Sequence, residues 1–243
     1  MIKIVENDTI TVMSEYCAGD PYGCRIMATY LTYGIGESFA QFWLQYDEKN
    51  NVTAVIGSLD NGLTVCAKGE YDCEEIDAFV KMLAGETGAL RPVRDGEIAD
   101  GLLLRLDRTL ITPFSGDIEI NPNGEDLYSV LECCPGQGFD VPPFSAFYDD
   151  MKRRVRAKTA VTALLRFDLM PVSCAAVHRC GNTSLLTMCA TVPEFRGKGC
   201  GANCTRALIS KLPDDTDMYA FALPGLCSYY EKMGFRVVGG FKY

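Results

Sequence analysis

Short apolar runs bounded by turn formers predict strands along this chain, and apolar residues spaced three and four apart predict the helices between them. Phe39–Tyr46 and Val52–Ile56 flank the polar stretch Asp47–Asn51 as strand, loop and strand, and Gly62–Ala67 makes a third strand after the turn Asp60-Asn61. Asp72 or Cys73 then starts a helix in which Ile76, Phe79, Val80 and Leu83 share a face. Glu74 and Glu75 fall in its first turn, where negative charge complements the helix dipole. A further strand is expected at Leu102–Leu106. Residues 1 to about 36 are interrupted by Gly19-Asp20-Pro21, Gly23, Gly34 and Gly36, which leaves room for only a weak helix or two.

Turn formers crowd residues 112–126 and predict a linker between a first unit, 1–111, and a second, 127–243. In the second unit Leu127–Cys133 reads as a strand, Pro135–Gly138 with Pro142-Pro143 as a loop, and Phe144–Lys158 as a helix with Phe147, Met151 and Val155 on one face. Thr159–Phe167 and Pro171–Val177 are expected as paired strands that feed a buried strand over 184–192. A helix follows from near Gly199, with Cys200, Cys204, Ala207, Leu208 and Leu212 on one face, and Pro213-Asp214 stops it. Met218–Leu223 is a strand, Pro224 suits a first helical position, Gly234 a left-handed C-cap, and Arg236–Tyr243 a strand closing the sheet. The class is α/β (α+β).

The strand over 184–192 runs into Thr191-Val192-Pro193-Glu194-Phe195-Arg196-Gly197-Lys198-Gly199-Cys200-Gly201, a glycine-rich turn that opens a helix. The first N–H groups of a helix have no partner inside it and lie at the positive end of its dipole, so an anion is favoured there. A dinucleotide-binding turn needs several further strand–helix units, and only about forty residues follow. A nucleoside-triphosphate loop needs Ser or Thr after its lysine, and Lys198 is followed by Gly199. An ordinary strand-to-helix turn remains the plain reading of the glycines alone.

Arg196-x-x-Gly199-x-Gly201, preceded by Val192-Pro193-Glu194-Phe195, resembles the pyrophosphate loop of the GNAT superfamily of N-acetyltransferases, and Tyr230-Glu231-Lys232-Met233-Gly234-Phe235 resembles that superfamily's terminal motif. The resemblance covers about residues 113–243. It implies a mixed, mostly antiparallel central sheet flanked by helices. It also implies an enzyme that moves the acetyl group of acetyl-CoA to a small-molecule or peptide amine. By the same resemblance the pyrophosphate lies on the amides of Gly197, Lys198, Gly199, Cys200 and Gly201, with charge from Arg196 and Lys198, and the acetyl carbonyl lies near the backbone of Ala190, Thr191 and Val192. Tyr230 takes the place of the tyrosine that protonates the departing thiolate, and Tyr229 points elsewhere on the same helix. Two departures stand out: Leu223 occupies the place of the usual asparagine, and the strand 184–192 holds no carboxylate to act as base. Glu132, His178 and Glu194 are candidate bases by residue type alone. A non-catalytic acyl-CoA-binding protein is the alternative.

Three strands followed by a helix also occur in the first unit, which suggests a degenerate GNAT-like copy, two halves in tandem. The carboxylates around its own strand-to-helix crossing, Ala67–Glu75, would repel a pyrophosphate, so this half is expected to cover or shape the acceptor side of the second.

Composition narrows the partners. A formal net charge of −9 opposes nonspecific attraction to nucleic acid or anionic membrane. The basic run Lys152-Arg153-Arg154-Val155-Arg156-Ala157-Lys158 is either a solvated helix face or help for the cofactor phosphates. The 12 cysteines, with no Cys-x-x-Cys pair and a single histidine, predict reduced core thiols and no metal site. No signal-like or bilayer-length apolar segment occurs, so a cytoplasmic location is expected.

Overall fold

A computed structural model describes residues 1–112, 114, 117–134 and 141–243. The first half runs β1 (Ile2–Ile4), α1 (Ile10–Cys17), α2 (Pro21–Tyr33), β2 (Phe42–Tyr46), β3 (Val52–Leu59), β4 (Gly62–Ala67), α3 (Cys73–Ala84), β5 (Ala89–Pro92) and β6 (Gly101–Leu106). The second runs β7 (Ile118–Ile120), α4 (Gly124–Glu132), α5 (Phe144–Arg156), β8 (Ala160–Phe167), β9 (Met170–Cys180), β10 (Thr183–Thr191), α6 (Cys200–Ile209), β11 (Asp217–Ala222), α7 (Cys227–Glu231) and β12 (Phe235–Lys242). The order of elements repeats, with α7 added before the last strand.

All the strands join one 12-stranded sheet in the order β1-β2-β3-β4-β5-β12-β6-β11-β10-β9-β8-β7. Among the described residues only β4–β5 and β10–β11 are parallel. The centre of the sheet holds an exchange: β12 pairs with β5 of the first half, and β6 pairs with β11 of the second. The two exchanged strands also pair antiparallel with each other. β12 is therefore an interior strand at the joint of the halves and does not close an edge.

Burial follows the same exchange. Phe241 of β12 belongs to the first half's core with Tyr22, Ile26 and Leu90, whereas Leu104 and Leu106 of β6 belong to the second half's core with Cys204, Leu208 and Phe235. Gly101 permits the crossing, since a Cβ there would stand 2.2 Å from the Phe241 ring.

Some expectations are corrected. Leu127–Cys133 lies mostly in helix α4, capped by the Asn123 side chain accepting from the Asp126 N–H, with Leu127, Val130 and Leu131 buried. Cys133 ends this helix. Within 112–126, strand β7 pairs with β8, while residues 113, 115 and 116 of that stretch and the Pro135–Gly138 loop lie outside the described residues. The weak N-terminal helices are well formed, α2 starting with Asp20 as cap and Pro21 in its first turn. Among the described residues no helix is long and apolar enough to cross a membrane, and no group of His, Cys, Asp or Glu is placed to hold a metal ion.

Candidate active site

Strand β10 leaves its neighbour part-way along. Its parallel pairing with β11 runs from Thr183↔Asp217 to Leu186↔Ala220 and stops, although both strands continue. On the other side its register with β9 shifts between Thr187 and Ala190, where Met188 has φ +50°. This bulge opens the sheet and sends neighbouring side chains to opposite faces. Met188 faces a cleft on one side. Cys189 faces α6 and α7 on the other, its Sγ 3.2 Å from Tyr229 Oη.

Beyond the bulge the chain makes a 3-10 turn, Pro193–Phe195, and enters α6 through Gly197 and Gly199, both left-handed at φ +75° and +79°. Gly199 is the N-cap, and no side chain caps this end. Cβ atoms at Gly197 and Gly199 would meet nothing within 4 Å, so the loop faces open space. The matching helix start in the first half differs: Asp72 caps α3 by accepting from the Glu75 N–H, with Glu74 and Glu75 in the first turn. One helix end is open to an anion; the other is already filled with carboxylates.

The expected cofactor residues divide into two groups. Gly197, Lys198, Gly199 and Cys200 surround the open helix start, and Lys198 Nζ rests 4.7 Å over the Phe195 ring. Arg196 folds back so that its Nε donates to the Thr191 carbonyl at 3.0 Å. Gly201 lies under Tyr229, where a Cβ would be 2.6 Å from the hydroxyl. Ala190 and Thr191 keep their register with β9 on one side only. The Ala190 carbonyl accepts from Ser173 Oγ, the Val192 N–H donates to the Val172 carbonyl at 3.0 Å, and the Val192 side chain is buried. On the side that β11 has left, the backbone of β10 is open from Thr187 to Thr191, a stretch that includes the bulge at Met188 and the expected Ala190 and Thr191.

Both tyrosines of α7 lie beside this opening. Tyr230 packs edge-on against Tyr229 and Phe235 at 5.2 and 5.6 Å, and among the described residues no group engages its hydroxyl. Burial first, and then the Cys189 thiol, pushes its pKa up, so the phenol stays protonated. Tyr229 does not point away. Its hydroxyl reaches Cys189, and its pKa is raised by burial and by that thiol.

On the opposite face a cleft of about 670 Å³ lies between the halves, lined by α2, the β3–β4 turn, α5, and His178, Thr187 and Met188. Of the candidate bases only His178 reaches it. Burial, with Arg154 and Arg25 nearby, holds this imidazole well below its usual pKa and keeps it neutral. Glu132 ends α4, and Glu194 is exposed on the 3-10 turn. Most of the basic run is exposed, but Arg154 is 2% exposed, paired with Asp150 at 2.8 Å, and lines the cleft with Arg153. Arg25, Arg154 and Tyr229 carry no sequence motif; only the fold brings them to the site.

No family model and no curated protein matches the sequence. Solved structures do match. Over 99% of its length the chain superposes on a GCN5-related N-acetyltransferase from Sphaerobacter thermophilus, with TM-score 0.61, 9% identity and 93% of that chain covered. A GNAT-family acetyltransferase from Colwellia psychrerythraea gives 0.57, 12% identity, and coverage of 99% of this chain and 97% of that one. A tandem GNAT protein from the clavulanic acid biosynthesis pathway gives 0.56 and 9%, with 99% and 96% covered. The chain has the GNAT fold. Within that fold the parting of β10 from β11, the open start of α6 and the tyrosines of α7 all lie in the second half, while the cleft beneath them is completed by α2 and the β3–β4 turn of the first.

Proposed function

We propose that the protein is an N-acetyltransferase that moves the acetyl group of acetyl-CoA to a primary amine. The observation that carries this reading is the uncapped α6 start, with two left-handed glycines and no obstructing side chain, at the end of a strand that peels away from its parallel neighbour. An anion is stabilised there by free N–H groups and the dipole together. The residues fit a diphosphate: Gly197, Lys198, Gly199 and Cys200 would hold it, with Lys198 adding charge. Backbone amides of β10 beyond Leu186, where β11 has left it, would serve the carbonyl oxygen, since fixed N–H dipoles stabilise developing negative charge without reorganising. In the transfer a C–N bond forms as the C–S bond breaks. The acceptor ammonium gives up two protons, one before attack and one as the amide forms, while the sulfur gains one from Tyr230, whose phenol recovers its proton from the second. Neutral His178, in the cleft on the acceptor face, is the base this reading favours, acting through water.

Calorimetry with acetyl-CoA tests the donor site. Gly199→Val disfavours the left-handed backbone by about 1–2 kcal/mol, so the free loop relaxes away from the binding geometry and affinity should fall roughly tenfold. Unchanged affinity in this variant, or no uptake by the native protein at millimolar ligand, overturns the reading. Binding without turnover on any amine would point instead to a non-catalytic acyl-CoA-binding protein.

A further inference from the structure

Arg154 lies on α5 with its side chain 2% exposed, and its Nε is held by both Asp150 oxygens at 2.8 and 2.9 Å. Its Nη1 is buried and has no hydrogen-bond partner. A buried guanidinium N–H without an acceptor is costly, and such groups in folded proteins mark a missing partner. Arg25, across the cleft on α2, has solvent-accessible surface there, and among the described residues no acceptor engages its guanidinium. Burial first, and then Arg154, lowers the pKa of Arg25 against the attraction of Tyr243 and Asp150, and both arginines disfavour a charge on His178.

The other charges of the cleft limit what can answer them. Its three arginines, Arg25, Arg153 and Arg154, face three aspartates, Asp60, Asp149 and Asp150. Asp150 is already engaged by Arg154 and by the Tyr33 hydroxyl, and Arg153 stacks over the Tyr33 ring and reaches Glu37. A doubly charged phosphate would meet the carboxylates, an apolar body would leave both guanidinium donors unmet, and a neutral acceptor would answer them more weakly than a charged one. A single carboxylate matches the vacant donors, and a guanidinium can receive it through paired, charge-assisted hydrogen bonds. Ile26, Phe39 and Phe147 supply an apolar wall, and the cleft's volume suits a molecule of a few to a few tens of heavy atoms.

We propose that the acceptor is a small amino carboxylate with an apolar side chain, an amino acid or short peptide, whose carboxylate is received by Arg25 and Arg154 Nη1. Its amine then lies toward Met188, which lines the same cleft at the opening of the sheet. The inference rests on the acetyl-transfer reading and specifies the acceptor of that reaction.

The test compares phenylalanine with 2-phenylethylamine, the same molecule without its carboxylate. Binding of each is measured by calorimetry in saturating CoA, and acetylation of each by mass spectrometry, in the native protein and in Arg25→Met and Arg25→Gln. The native protein should bind and acetylate phenylalanine about 10–100-fold better, and both variants should lose that preference while binding acetyl-CoA as before. Equal or better handling of 2-phenylethylamine, binding of neither compound, or a preference that survives both substitutions overturns the proposal. The transferase reading fails separately, if acetyl-CoA is not bound or no amine is acetylated. Phenylalanine preference in the calorimeter alone would still identify the carboxylate site.

Discussion

Replacing Tyr230 with phenylalanine is expected to slow acetyl transfer by about 10²- to 10⁴-fold, the usual contribution of a positioned acid, while leaving acetyl-CoA affinity unchanged. The ring stays in its aromatic setting against Tyr229 and Phe235, so packing is preserved and only the proton is lost. Tyr229→Phe is the control. Its hydroxyl is already engaged by Cys189, and its loss should cost less than about tenfold. If the two variants exchange these effects, the acid is Tyr229. The pH profile adds a second check. A buried phenol with a raised pKa keeps its proton until pH climbs through that raised value, so activity should show no alkaline fall below about pH 10. A histidine with a lowered pKa stays unprotonated until pH drops through that lower value, so the acid limb should lie below about pH 6.5. An acid limb above that pH would exclude a neutral, buried His178 as the base.

The second large effect concerns the joint of the halves. Phe241→Ala should destabilise the whole chain by about 3–5 kcal/mol, the range for emptying a buried phenylalanine site. Phe241 is 2% exposed, packs edge-on against Phe221 at 5.4 Å, and fills a core whose other members come almost wholly from the first half. β12 also pairs with β6, which itself carries Leu104 and Leu106 into the second half's core, so the loss is shared. At roughly 2–4 °C per kcal/mol for a chain of this size, Tm should fall on the order of 10 °C. The only tryptophan, Trp43, is buried in the first half and reports it by fluorescence, whereas circular dichroism reports both halves. In urea the two signals should move together, in the native protein and in the variant. A Trp43 transition separate from the rest would mean that the exchanged strands do not couple the halves.

The features legible in the sequence are those fixed by a few adjacent residues. Gly197 and Gly199 mark a turn because the left-handed backbone there admits little else, and Asp72 with Glu74 and Glu75 marks a helix start. Leu127–Cys133 misled because seven residues of mixed apolar character fit a strand or one face of a short helix equally well. The cap Asn123, with Glu125 and Asp126 behind it, was the local sign that decides for helix. In α2, Asp20-Pro21 gave a start signal that Gly23 seemed to cancel. That glycine is there because α1 passes so close that a Cβ would stand 2.3 Å from the Cys17 carbonyl oxygen. The acceptor cleft was not legible at all. Arg25, Arg154 and Met188 are far apart in sequence, and their meeting depends on strand order and on a bulge that no motif encodes.

The crossing of β6 and β12 also sets a schedule for biosynthesis. The edge of β5 awaits a strand that the ribosome makes roughly 150 residues later. At ordinary elongation rates the emerging first half waits on the order of 10 s with that edge's hydrogen-bonding groups unsatisfied. Chaperone capture of nascent chains should accordingly persist until Phe241 has left the exit tunnel.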